Sequence, residues 1–129
     1  MSSAAAAVEL LAFRELDAAI VGASVFQDVP DDAKPPLVII GDVESSPFGR
    51  SDDPDRRITL TLIVITEGDE RAPCTDLQGQ IETILAARSF PVGEWNLHVA
   101  LESSAAALSE DGSGYVGTTI LTILAFRED

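Results

Sequence analysis

The stretch RITLTLIVITE, Arg57 to Glu67, is the clearest strand in the sequence and decides the class of fold. Its residues are β-branched almost throughout, which favours a pleated backbone whose side chains alternate between two faces. One face carries Ile58, Leu60, Leu62 and Val64, and the other carries Thr59, Thr61, Ile63 and Ile65. The change from Thr to Ile along the second face predicts that only part of that face is covered.

Two amphipathic helices are predicted, one before this strand in the sequence and one after it. The first runs from about Ala4 to Ala19, and the second begins at Pro73 and ends near Arg88, because apolar residues recur there at helical spacing. Residues 23–36 lie between the first helix and the next apolar run and contain three prolines. Since proline lacks the amide donor, this segment is expected to be an extended strap over the core and not a central strand.

Three further strands complete the predicted sheet. They cover Leu37 to Asp42, Glu94 to Leu108 with a bend near Glu102, and the segment after the SEDGSG turn, while residues 43–56 form a long polar loop. The expected fold is therefore α+β, with a mainly antiparallel four-stranded sheet and two helices packed on one face, in the order α-β-β-α-β-β. The whole chain, residues 1–129, is predicted to be a single domain.

The composition limits the classes of function. Hydrophobic residues make up 46% of the chain and aromatic residues only 5%, which predicts an aliphatic core. The formal net charge is −14, which repels phosphate backbones and makes a nucleic-acid-binding surface improbable. The apolar start MSSAAAAVELLAFRELD lacks the basic region that a signal peptide would have. No apolar run in the chain approaches the ~20 residues of a membrane span. We therefore expect a soluble protein made in a cytoplasm, without a membrane partner.

No pattern of catalytic or metal-binding residues is found. His98 has no partner nucleophile or acid in its sequence neighbourhood, and Cys74, the single cysteine, lies on the apolar side of the second helix. The loop RSDDPDRR, Arg50 to Arg57, is rich in carboxylates but lacks the glycine and terminal glutamate of a calcium loop. The sequence thus predicts a protein that is not an enzyme and has no cofactor, no metal site and no catalytic residue.

Five phrases in the chain resemble one known family. They are AAIVGASVFQDVP (18–30), KPPLVIIGD (34–42), ITLTLIVITE (58–67), TDLQGQIETILAA (75–87) and EDGSGYVGTTILTILAF (110–126). In this order, from about Val8 to Phe126, the chain resembles the tail-completion (tail-terminator) proteins of long-tailed bacteriophages and gene transfer agents.

The resemblance implies a structural virion protein of the tail and neck, assembled in the bacterial cytoplasm. Such proteins form a ring, commonly a hexamer, on the end of the tail tube. The ring stops tube polymerisation and meets the head-side connector, so the expected partners are other copies, the major tail tube protein and a connector or head-closure protein. DNA would pass through the lumen without specific binding, and a negatively charged lumen would repel it.

The resemblance also suggests that loops meet the neighbouring subunits. We therefore expect residues 43–57 to lie at a subunit interface, with intersubunit ion pairs from Arg50, Asp52, Asp53, Asp55, Arg56 and Arg57. Two alternatives remain open. One is another neck component, such as a head-closure or connector protein. The other is a small-molecule-binding regulatory domain of similar α+β layout, which would require a polar-lined pocket.

Overall fold

The computed structural model describes residues 3–49 and 55–127, and within them it contains two helices and six strands. The elements are α1 (Ala4–Ala19), β1 (Ser24–Phe26), β2 (Leu37–Pro47), β3 (Arg56–Glu67), α2 (Ala72–Leu85), β4 (Arg88–Val92), β5 (Trp95–Leu108) and β6 (Gly114–Arg127). The strands form one sheet in the order β1-β2-β3-β6-β5-β4. β1 and β2 are parallel, and the other neighbouring strands are antiparallel.

The chain is α+β with two helices, but the prediction of a four-stranded antiparallel sheet is wrong. The sheet has six strands and is mixed. The prediction failed because it missed the two short strands at the edges of the sheet. β1 lies inside the segment predicted as a strap, and β4 lies between the predicted end of the second helix and the strand predicted from Glu94. Both are too short to show a clear alternation. β4 also contains Pro91, which is tolerated because an edge strand needs hydrogen bonds on one side only.

β2 also extends further than the sequence indicated. After a bulge between Ile40 and Val43, its residues 43–47 pair with residues 56–60 of β3. These residues include Glu44, Ser45 and Ser46, whose low strand propensity predicted a loop. The pairing with β3 overrides that preference and shortens the connection between the two strands.

The central pair of the sheet is β3 with β6. They pair over the full 12 residues of β3, from Arg56 opposite Ala125 to Glu67 opposite Gly114. Their helix-facing side chains are buried, namely Ile58, Leu60, Leu62, Val64, Leu121, Ile123 and Ala125. Both helices add buried residues to this same core, so they cover one face of the sheet. Among the described residues, neither helix has the length and apolar content of a membrane span.

Local interactions fix the ends of the helices and the position of α2. The Ser3 hydroxyl oxygen accepts a hydrogen bond from the Ala6 N–H at 3.0 Å and caps α1. On α2, buried Gln78 donates from Nε2 to the Ala105 carbonyl at 2.9 Å and to Thr119 Oγ1 at 3.3 Å. One amide therefore ties the helix to both strands of the final hairpin. Gly117 of β6 lies directly beneath, where a Cβ would be 2.8 Å from Cys74 Sγ.

The turn between β5 and β6 is built around Asp111. Its Oδ1 accepts hydrogen bonds from the Ser109 hydroxyl at 2.9 Å, the Ser113 N–H at 3.0 Å and the Ser113 hydroxyl at 2.7 Å. Gly112 adopts a φ of +74°, which a residue without Cβ does at no steric cost. The carboxylate thus replaces backbone hydrogen bonds that the turn itself cannot make.

Gly114→Ala is expected to destabilise the protein. A Cβ at this position would lie against the Thr66 carbonyl oxygen and 2.9 Å from Glu67 Cα, so the β3 backbone would have to move. We expect the free energy of unfolding to fall by about 1–3 kcal/mol, measured by chemical denaturation. Gly79→Ala on α2 is the matched control, because nothing lies within 4 Å of its Cβ and alanine favours a helix. Equal midpoints for both variants would contradict the close approach of β3 and β6.

The Asp111 carboxyl is expected to titrate at unusually low pH. Hydrogen bonds from the Ser113 N–H, the Ser113 hydroxyl and the Ser109 hydroxyl lower its pKa from 3.8 to about 2. Its contribution to stability is therefore complete above about pH 4 and is lost as the pH falls towards 2. NMR titration of the carboxyl carbon should give the low pKa in the parent and a higher one in Ser113→Ala. An unchanged pKa in Ser113→Ala would contradict this hydrogen-bonding scheme.

Candidate assembly surfaces

The sheet face opposite the helices, here called the outer face, presents a band of uncharged side chains. Its partly buried members on the two central strands are Thr59, Thr61, Ile63, Ile65, Val116, Thr118, Ile120, Thr122 and Leu124. None of these side chains is charged, although the chain carries a net charge of −14. A broad uncharged surface on so acidic a protein is suited to contact with another protein surface.

Charged groups gather at one end of the outer face. Arg57, His98 and Glu102 line an open groove of about 370 Å³, together with Val99, Ala100, Thr122 and Leu124. The Glu102 carboxylate accepts a hydrogen bond from the Thr122 hydroxyl at 3.0 Å. The groove therefore contains the Arg57 cation, the His98 imidazole and the Glu102 carboxylate, which already accepts a hydrogen bond from Thr122. These groups can orient a polar contact, but none of them is an activated nucleophile.

A chain of ring contacts closes the base of the β2–β3 loop at this same end. The Phe48 ring lies edge-on to Phe126 with centroids 5.8 Å apart, and the Arg57 guanidinium lies 5.5 Å from the Phe48 centroid. The Phe126 ring in turn meets the His98 ring edge-on at 5.2 Å. These contacts join Phe48, the residue after β2, to β3, β5 and β6 at one corner, so the loop has a fixed base.

Hydrogen bonds reinforce this loop base. The Phe48 N–H donates to the Asp55 carbonyl at 3.1 Å, and Asp55 Oδ1 accepts from the Arg127 N–H at 3.1 Å. Asp55 is therefore engaged within its own chain. The same is true of Arg57, which stacks on Phe48.

The predicted interface residues thus divide into two groups. Arg50, Asp52 and Asp53 lie outside the described residues. Asp55, Arg56 and Arg57 are brought together at the loop base, where Arg56 and Arg57 are exposed and Asp55 is partly buried. Sequence reasoning placed Asp55 and Arg57 in intersubunit ion pairs, and the structure gives both of them contacts inside the subunit.

The two residues considered for catalysis have structural surroundings. His98 Nδ1 shares a hydrogen bond with the Ser89 hydroxyl at 2.7 Å, across the β4–β5 pair. Cys74 is fully buried, and burial raises the pKa of its thiol, which keeps it protonated and unreactive. Within residues 3–49 and 55–127, no group of three or more His, Cys, Asp or Glu side chains is placed to hold a metal ion.

One structurally important residue gave no signal in the sequence. Gln80 on α2 accepts the Val21 N–H at Oε1, 2.9 Å away, and donates from Nε2 to the Val21 carbonyl at 3.0 Å. This two-point contact fixes the chain just after α1 and so directs it into β1. A polar residue on the solvent side of a helix is ordinary, and no spacing rule marks it. Phe48 was more visible, since a lone aromatic in a polar loop needs something to pack against.

The outer face, the groove and the loop base are the surfaces that could contact another protein. The model of the family "Tail completion protein gp17" matches residues 8–121. The fold is also similar to a chain in a solved structure described as the virion of a native gene transfer agent particle. The two share 16% sequence identity with a TM-score of 0.76, over 96% of this chain and 98% of that one. A search of curated protein sequences finds no match.

The chain belongs to the tail completion protein gp17 family, because the family model spans most of its length. Its role is therefore structural, in the tail of a phage-type particle. The similarity to the virion chain supports the fold, because the TM-score of 0.76 extends over 96% of this chain at 16% sequence identity. Membership also confirms the resemblance identified from the sequence phrases.

Asp55→Ala is expected to loosen the loop base. The Arg127 N–H loses its acceptor, so its hydrogen exchange should become faster and the free energy of unfolding should fall by about 1–2 kcal/mol. Asp55→Asn is the control, because its amide oxygen can still accept this hydrogen bond. Unchanged exchange at Arg127 in Asp55→Ala would mean that the carboxylate is available for a neighbouring subunit after all.

Proposed function

We propose that this protein forms a ring, most simply a hexamer, on the end of the tail tube. The ring terminates tail polymerisation and joins the tail to the head-side connector, by assembly alone and without catalysis. The observation that carries this proposal is the uncharged outer face, found on an acidic chain that belongs to a tail completion family. A protein that acts by assembly needs surfaces that neighbours can cover, and this uncharged face is such a surface.

The acidic charge has a role in the proposed ring. A lumen that DNA crosses must not bind the phosphate backbone, and negative side chains repel it. The chain has 22 acidic residues against 8 basic ones, and the central outer face carries none of either sign. The carboxylates are thus left for solvent and for the lumen, while uncharged surface is left for contact with other subunits.

The loop base is the proposed site of contact between neighbouring subunits. Arg56 and Arg57 are exposed there, and the fixed base holds them at one end of the sheet. The described carboxylate of the loop, Asp55, already accepts a hydrogen bond within its own subunit. We therefore expect Arg56 and Arg57 to find their anionic partners on the neighbouring copy, together with Arg50, Asp52 and Asp53 of the loop.

Charge reversal tests the ring and the loop together. In a particle that lacks its own tail terminator and depends on this chain, tails should have uniform length by electron microscopy. Arg56→Glu combined with Arg57→Glu should give overlong or headless tails, because like charges would face each other across the interface. Arg14→Glu is the matched control, since Arg14 lies on α1 and contacts only Glu15 among the partners seen. Uniform, joined tails with the double variant would exclude the loop as the interface. Uncontrolled tails with the parent chain would exclude the function itself.

A further inference from the structure

The sheet has two open edges at diagonally opposite corners. β4 pairs with β5 only as far as Val99, so the far side of residues 100–108 has no strand partner within the described part of the chain. β1 pairs with β2 only as far as Ile39, which leaves residues 40–47 similarly open. Each edge therefore has one covered end and one open end.

Beyond the bulge at Glu102, residues 103–108 of the open part of β5 lack the features that normally protect an edge strand. Such edges usually carry charges, prolines or bulges that prevent pairing with other chains. After the bulge between Leu101 and Ser103, residues 103–108 read SSAAAL, with no charge and no proline. Leu108 is 58% exposed and Leu101 is 40% exposed, so large apolar side chains lie uncovered along this edge.

The open part of β2 is different in chemistry. It carries Asp42, Glu44, a bulge after Ile40 and Pro47. Two such edges placed together would bring like charges face to face, which disfavours pairing between identical β2 edges. Residues 103–108 of β5 carry no charge and offer no such repulsion.

We infer that the open β5 edge of one copy pairs with the open β2 edge of the next copy, which continues the sheet from subunit to subunit. This inference rests on the proposed ring. β2 and β5 run in opposite directions within the sheet, as the antiparallel pairings through β3 and β6 require. A copy placed alongside without being turned over therefore presents its β2 antiparallel to β5, with the helices of both copies on the same side.

The register of this pairing follows from the structure of each edge. A slide of about six residues along the strands, roughly 20 Å, carries β1 of the incoming copy past the β5–β6 turn and keeps its loop clear of β4. Residues 43–47 then lie opposite residues 104–108, and both segments are free of bulges. Val43 meets Leu108, and Ser45 meets Ala106, all four on the helix side of the sheet.

The backbone groups face the right way in this register. The Ser109 N–H donates to the Gly114 carbonyl within the hairpin, so alternation turns the N–H and carbonyl of Leu108 and Ala106 towards the open edge. The Phe48 N–H donates to Asp55, so alternation likewise turns the backbone of Val43 and Ser45 outward. At Val43 opposite Leu108 and at Ser45 opposite Ala106, both edges thus present an outward N–H and carbonyl, whereas Pro47 opposite Ser104 presents its carbonyl alone.

The side chains also agree with this pairing. Across residues 43–47 and 104–108 the only charged residue is Glu44, which lies opposite Ala107 and meets no second carboxylate. Val43 already packs against the core, and its contact with Leu108 would extend that core across the subunit boundary. Each copy uses one edge of each kind, so the contact is head-to-tail and closes into a ring when the rotation per subunit allows.

Cysteine cross-linking tests the pairing directly. Val43→Cys and Leu108→Cys are made in separate chains, which are mixed and mildly oxidised. Facing residues in an antiparallel pair lie about 5.5 Å apart at Cα, within the range of a disulfide. We expect a covalent dimer in the mixture and none in either variant alone or in the parent, whose Cys74 is buried. A dimer from Leu108→Cys alone would show that two β5 edges pair with each other, which overturns the inference.

A second pair of variants separates the backbone from the side chain. Leu108→Pro removes an outward N–H, so we expect it to weaken self-association by about tenfold, whereas Leu108→Ala keeps that donor and should weaken it less. Association is measured by mass photometry and sedimentation. The strand pairing would be overturned if Leu108→Pro formed oligomers normally and the Val43→Cys and Leu108→Cys chains formed no disulfide. The ring proposal would still stand after that result. A mixture that stays monomeric and uncross-linked at high concentration would overturn the pairing as well. The ring proposal depends instead on the tail-length result.

Discussion

The pairing of β3 with β6 is the constraint on which the rest of the structure depends. Side chains alternate along both strands, so the side that carries Ile58, Leu60 and Leu62 must face the helices. A shift of one residue in either strand would bring the Thr-rich set inward and expose the aliphatic set. The outer face is therefore determined by the same register that forms the core. The register that folding requires therefore also produces the uncharged surface that is available for contact with other proteins.

The helices depend on this pair through small residues. α2 approaches β6 closely because Gly117 has no side chain, and the space is filled by Cys74 and by the amide of Gln78. A buried amide is costly unless its hydrogen bonds are made, and Gln78 makes them to β5 and to β6. Helix position and the β5–β6 hairpin are therefore coupled. That coupling supports the far end of β5, which pairs with β6 on one side and has no strand on its other side in the described residues.

The parts of the fold that were predictable are those with a long periodic pattern. β3, the two helices and the final hairpin could be read from the sequence because each repeats its pattern many times. β1 has 3 residues and β4 has 5, too few to establish alternation, and their existence depends on a neighbouring strand. The extension of β2 into Glu44 to Pro47 was hidden because Glu44, Ser45 and Ser46 have low strand propensity, which the pairing with β3 overrides. At the loop base, the charges of Asp55 and Arg57 suggested partners outside the chain. The groups that they meet, the Arg127 backbone and the Phe48 ring, cannot be inferred from charge.

In the proposed ring, the distribution of charge favours assembly on a template. Two copies that each carry −14 repel one another over a distance set by the salt concentration, so free association is disfavoured at low ionic strength. Hydrogen bonds between short edges are individually worth only ~1 kcal/mol each, so pairing between free copies is weak and requires high protein concentration or added salt. A tube end that holds several copies side by side raises their effective concentration and so favours each contact. Weak edge contacts on a strongly acidic body therefore suit the proposed ring, which would form most readily where a tail ends.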